Sequence, residues 1–242
     1  MTASRFLLVP VLLTLILGTA LAEPPVAEKE QPAAAPAADG PSDQERDEVK
    51  AMVAELRSEA SRIRNLEWKF DVEADLLSRD QLRANMVEMV KEELKPEELE
   101  RDTRILRRVG LLADDEDPLK LALDMMQEMV GGYYNPKTKK LYLIQGLVGE
   151  GQRPVVLHEL IHALEDQYID LEKRMKEHED DSDRTFAVQC IGEGSAEHAR
   201  VMFQNAHPGL TEAYMKAQQN PDMMRALLVS LSARIRQMRD DR

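Results

Sequence analysis

Residues 155–167 read VVLHELIHALEDQ, a largely apolar run in which two histidines stand four residues apart with a glutamate directly after the first. The chain holds only five histidines in 242 residues, so a pair one helical turn apart carries chemical information. On an α-helix residues i and i+4 share a face, and His158 and His162 can therefore aim their imidazoles at one centre. Two imidazole nitrogens suit zinc at about 2.0–2.1 Å each, and a catalytic zinc keeps three protein ligands and a position for water. Glu159 falls at the edge of the same face, within reach of that water and able to take its proton. Pro154 fits a first helical turn, and Val155, Val156, Leu160, Ile161 and Leu164 predict that the helix is buried.

The pair is incomplete without a third ligand. A longer motif with glycine and a third histidine is excluded, because Glu165 and Tyr168 occupy those places. A carboxylate from a later helix is the remaining solution, and residues 190–203, CIGEGSAEHARVMF, offer Glu193, Glu197 and His198. Asp166 lies four residues beyond His162 on its face, placed to accept an imidazole N–H or to orient a basic group behind the site, with a solvated helix charge as the alternative. Tyr133, Tyr134, Tyr142 and His207 are candidates to stabilise an oxyanion, each equally at home in a core or on a surface. Cys190 reads as a small buried residue.

Elsewhere the chain divides into three parts. Residues 1–22, MTASRFLLVPVLLTLILGTALA, combine one arginine, an apolar run and a small-x-small end, which predicts a signal peptide cut after Ala22 and an exported protein, periplasmic or extracellular. Contact with a membrane is expected only if that segment stays uncleaved. Residues 23–42 are rich in Pro and Ala and read as a disordered linker, and residues 43–242 as the folded domain. A single cysteine, Cys190, rules out an internal disulfide, so stability must come from packing or a metal. The formal charge of -13 argues against nucleic acid as partner, since phosphates would be repelled.

Within the folded part, Asp43 is placed to cap a helix to about Arg64, and the alternation of Trp68, Phe70 and Val72 with charged residues predicts a short strand. Ser78 and Gln81 form a capping box for a helix to about Leu94; Pro96 opens a helix ending near Gly110; Asp117-Pro118 opens another, closed by Gly131-Gly132. The tetrapeptide Asn135-Pro136-Lys137-Thr138 between apolar stretches marks a hairpin. After the histidine helix comes the acidic loop HEDDSD, a helix over 184–205, a break at Pro208-Gly209, and two final helices. The expected class is α+β, predominantly helical, with a small sheet just before the histidine helix.

His158-Glu159-Leu160-Ile161-His162, followed by Ala163-Leu164-Glu165-Asp166-Gln167 and by Glu193-Gly194-Ser195-Ala196 on a second helix, resembles the zincin metallopeptidases of the gluzincin type. It is most similar to exported bacterial proteins that combine a HExxHALxDQ helix with an EGxA helix, over about residues 76–202. The resemblance implies a zincin-like domain, Zn²⁺ held by His158, His162 and Glu193, Glu159 as general base, and a peptide or protein substrate. Small residues at 194–196 would let the second helix approach the first, and Glu197 could then support the ligands from behind or simply be solvated. The resemblance further implies that Lys140–Ile144 pairs with extended substrate. Relatives of this type run longer after the EGxA helix. A cleft lacking its distal wall leaves a second expectation: an exported binding protein, zinc-stabilised and catalytically silent.

Overall fold

The computed structural model describes residues 40–93, 96–110, 112–120, 123, 130–146, 149–178 and 181–218. The expected signal peptide, the linker up to residue 39 and the last expected helix lie outside the described residues. The described part is mostly helical with one three-stranded sheet.

Helix α1 spans Asp43–Arg64. Its cap is Ser42 rather than Asp43: the Ser42 hydroxyl accepts the Glu45 N–H at 3.2 Å, and the Glu45 carboxylate accepts the Ser42 N–H at 2.9 Å. This reciprocal pair satisfies two donors at the helix start, and Asp43 is left as a first-turn charge favourable to the helix dipole.

The strand expected around Trp68 begins later, as β1 at Glu73–Leu77. Residues 68–70 are held by side chains instead of a ladder. Trp68 Nε1 donates to the Arg57 carbonyl at 3.0 Å, while the Gln167 amide accepts the N–H of Lys69 at 2.8 Å and donates to the Phe70 carbonyl at 3.1 Å. A glutamine amide thus substitutes for a neighbouring strand. Phe70, apolar in the alternation, is left exposed.

Helices α2 (Arg79–Glu93) and α3 (Pro96–Arg108) follow, with the Ser78–Gln81 capping box formed in both directions. Asp117 caps the helical turn that starts at Pro118, and the rest of the helix expected up to Gly131-Gly132 falls largely outside the described residues. The hairpin consists of β2 (Gly132–Asn135) and β3 (Lys140–Ile144). Gly132 therefore belongs to a strand, and a Cβ there would meet Leu143 Cδ2 at 2.6 Å. The turn closes through Asn135, whose Oδ1 accepts the Lys137 N–H at 2.9 Å, and through Lys139 in the left-handed region at φ 56°.

The strand order is β1-β3-β2, with β1 parallel to β3 and β2 antiparallel to it. Central β3 is buried on both faces, so Leu143 and Ile144 are neighbours in sequence yet belong to different cores. One face, with Leu76, Leu141 and Leu143, packs on α1 and on the long helices that follow; the other faces Leu82, Met86, Leu123 and Val130.

Helix α4 (Arg153–Ile169) carries the two histidines and is wedged between α1, the sheet and α6. It ends where Asp170 enters the left-handed region at φ 50° and caps α5 (Leu171–Glu177), a short helix that the sequence reading ran together with the histidine helix. Helix α6 (Ser182–Ala206) is capped by Asp181. The next break falls at His207, not at Pro208-Gly209: Pro208 is the first residue of α7 (Pro208–Gln218), the position where its missing N–H costs nothing.

The first core depends on α6 lying flat against α4. Ala196 and Ala199 are fully buried between them and Phe203 is 1% exposed. Phe203→Ala is expected to lower unfolding free energy by about 3–5 kcal/mol, read from the urea midpoint at unchanged slope.

Candidate metal centre

Helix α4 fixes its histidines because almost all of its circumference is used for packing: Val156, Leu157, Leu160, Ile161, Ala163 and Leu164 are buried. The only direction left for His158 and His162 is toward α6. Their Nε2 atoms stand 3.1 Å apart, with the rings edge-to-face. From α6, Glu193 brings Oε2 to 3.2 Å from His158 Nε2 and Oε1 to 3.6 Å from His162 Nε2. A tetrahedral ion with bonds of about 2.0–2.1 Å places its ligand atoms about 3.3 Å from one another. These residues form the one group of three or more His, Cys, Asp or Glu among the described residues that can hold a metal ion.

The approach of α6 has a different cause from the one the sequence offered. Gly194 is exposed, and a Cβ there would meet nothing within 4 Å. The close contact is made by Ala196 and Ala199, while Ser195 donates its hydroxyl to Glu165 Oε1 at 2.6 Å. Glu165 also pairs with Arg64 of α1 at 2.6 Å, so one buried carboxylate ties three helices together behind His162. In the sequence Glu165 marked only the place of a missing glycine.

Glu197 stands on the far side of His158, with Oε2 3.8 Å from Nδ1. Its Oε2 accepts from Arg200 Nε at 2.7 Å, and its other oxygen also pairs with the Arg200 guanidinium. A carboxylate behind the ligand's second nitrogen favours the tautomer that leaves Nε2 free for a metal.

Asp166 makes none of its hydrogen bonds to an imidazole. Fully buried, it accepts the Tyr134 hydroxyl at 2.6 Å, Lys139 Nζ at 2.7 Å and the Leu171 N–H at 2.7 Å. It is a junction between β2, the hairpin turn and the start of α5. Through Tyr134 it also fixes the strand whose N–H holds the general-base candidate: Glu159 Oε2 accepts the Tyr134 N–H at 2.8 Å.

The remaining candidates lie elsewhere. The Tyr134 hydroxyl is committed to Asp166, Tyr133 stacks on Tyr142 and packs against the second core, and His207 Nδ1 lies 2.9 Å from the Phe203 carbonyl. Cys190 is exposed rather than buried, because it sits on the solvent side of α6. Lys140–Ile144 is the central strand, already paired along both edges, so its backbone has no side to offer a substrate; the outer edge next to α4 belongs to β2.

Electrostatics follow from crowding. Desolvation pulls the His162 imidazolium down, yet the Glu193 hydrogen bond and the charges of Glu159, Glu193 and Glu165 outweigh it and push its pKa up to about 9. Burial would raise Glu193, but bonds to both imidazoles hold it well below the usual carboxylate range. Glu159 is raised by its loss of water, opposed by the two imidazoles. A glutamate moved toward neutrality is better suited to holding a proton than an ordinary carboxylate.

Comparison with models of known protein families, with curated proteins and with solved structures gives no match, so the gluzincin likeness rests on the two motifs and their geometry.

Without metal, His162 has a folded pKa above its ordinary 6.5, so its contribution to stability is complete below that value and is lost as pH rises through about 9. Chelator-treated protein is expected to melt at progressively lower temperature from pH 6.5 to 9.5, a decline that His162→Ala abolishes.

Proposed function

We propose that this protein is an exported zinc-dependent peptidase. The observation that carries the reading is the convergence of His158 Nε2, His162 Nε2 and a Glu193 carboxylate at ligand separations, with Glu159 beside the first histidine. Zinc bound there supplies an acidified water and polarises a carbonyl. His158 and His162 hold the ion from one helix and Glu193 from the other. Glu159 holds the proton taken from the attacking water and returns it to the leaving amine, a transfer that its raised pKa favours.

The strand edge gives the substrate a track. In an antiparallel ladder alternate residues turn their N–H outward, and the Tyr134 N–H, directed at Glu159, belongs to that outward set. An extended peptide laid along β2 would therefore pass beside Glu159 and the metal, which fits a main-chain mode of recognition with modest side-chain demands. The net charge of -13 makes a protein or peptide a better partner than nucleic acid. Read as a signal peptide, residues 1–22 put the activity outside the cytoplasm.

Metal analysis and digestion of an unfolded protein such as casein test this together. Wild type is expected to carry one zinc and to cleave. Glu159→Gln should keep the zinc and lose cleavage by about 10²–10⁴-fold, whereas Glu193→Ala should lose the zinc and Glu197→Ala retain it when zinc is saturating. Equal cleavage by wild type and Glu159→Gln would overturn the mechanism. Zinc-dependent folding with no cleavage by wild type would leave a silent, zinc-stabilised binding protein.

A further inference from the structure

Among the described residues, Glu197 links His158 Nδ1 to α6, and left to itself it would be a poor link. It is 38% exposed on its side chain and stands 3.8 Å from the ring, so neither burial nor a short bond fixes it. What fixes it is Arg200. The guanidinium grips both oxygens of Glu197, donates from Nη1 to Gln204 Oε1 at 2.6 Å, and lies over the Tyr214 ring with 4.9 Å from Cζ to the centroid. Arg200 is 11% exposed on its side chain, Gln204 is 8% exposed and Tyr214 is 9% exposed. Arg200, which holds Glu197, and Gln204, which holds Arg200, are thus both on α6, and the aromatic floor comes from α7.

Resting on the reading of His158, His162 and Glu193 as a metal site, we propose that Arg200 and Tyr214 are positioning residues for His158, so that the docking of α7 sets how tightly the metal is held. The planar fork of Arg200 orients the Glu197 carboxylate toward Nδ1, and the Tyr214 ring keeps the fork in plane. A lysine in place of Arg200 cannot grip both oxygens, and an aliphatic side chain at 214 removes the floor.

Charge and geometry act in opposite directions here, which makes the proposal testable. Arg200 is a cation near the site, and removing it would by Coulomb's law alone tighten a divalent ion. Removing a group that orients a ligand instead loosens metal by about 10–100-fold. Tyr214 carries no charge, so its effect is geometric only.

The test is competition for Zn²⁺ between the full chain and a chromophoric chelator, with Co²⁺ substitution to read the ligand field and circular dichroism to confirm folding. Arg200→Met and Tyr214→Ala are expected to weaken zinc by about 10–100-fold and to change the cobalt spectrum. Arg200→Lys should recover part of the loss, and Tyr214→Phe, which keeps the ring, should match wild type. Zinc affinity unchanged in Tyr214→Ala, or tighter in Arg200→Met, would overturn the proposal, as would equal losses in Tyr214→Phe and Tyr214→Ala. Should Arg200→Met not fold, the two Tyr214 variants decide alone. A wild type that binds no zinc overturns the metal reading itself, whereas a wild type that binds zinc with Tyr214→Ala indifferent overturns only the role of Arg200 and Tyr214.

Discussion

Three electron-rich atoms meet at the centre of this protein: two imidazole nitrogens 3.1 Å apart and a carboxylate oxygen 3.2 Å from the first. Lone pairs so placed repel unless a positive charge lies between them. A proton can play that part, and the elevated affinity of His162 for one is the sign of the demand. A divalent metal ion plays it better, since it faces all three donors at once at distances they already nearly satisfy. The architecture around the site is the machinery that keeps these donors from drifting apart.

That machinery is built mostly of packing. Helix α4 is held on nearly every side, by α1, the sheet and the alanine seam of α6, so its histidines have no freedom to turn away. Buried acids then join the layers: Glu165 connects α1, α4 and α6, and Asp166 connects α4 to β2, the hairpin turn and α5. Buried carboxylates are costly unless fully partnered, and here each takes donors from separate elements, which fixes the elements relative to one another. The candidate metal centre sits at the junction where these constraints overlap, with Glu159 tied to the strand edge by the Tyr134 N–H.

Much of this was legible in the sequence because it is local. The four-residue spacing of His158 and His162, the Ser78–Gln81 box, the Pro96 and Pro154 helix starts and the Asn135 turn all act within a few residues, and all are formed. The errors came where distant partners decide. Trp68–Val72 alternates like a strand, but the Gln167 amide, about a hundred residues away, takes the backbone bonds a strand partner would have taken. Cys190 has the composition of a core residue and is exposed, because the face of α6 that packs is the one carrying Ala196, Ala199 and Phe203. The spacing of Arg200 from Glu197 and Gln204 was visible as ordinary helix neighbours, yet nothing in it announced the Tyr214 ring.

By itself the sequence determined which residues can reach one another along a helix, and hence that His158, Glu159 and His162 form a unit, because a helix repeats every 3.6 residues whatever surrounds it. It also bounded the partners by charge and narrowed the third ligand to the 193–198 stretch of α6. The motif resemblance had already favoured Glu193 over Glu197, and the tertiary structure brings Glu193 to both imidazoles; it alone decided that β2 rather than β3 is an outer strand of the sheet and that Asp166 and Glu165 are buried junctions. Those outcomes depend on how helices and strands from distant parts of the chain pack, and packing is settled by the shape of whole surfaces, which no local spacing encodes.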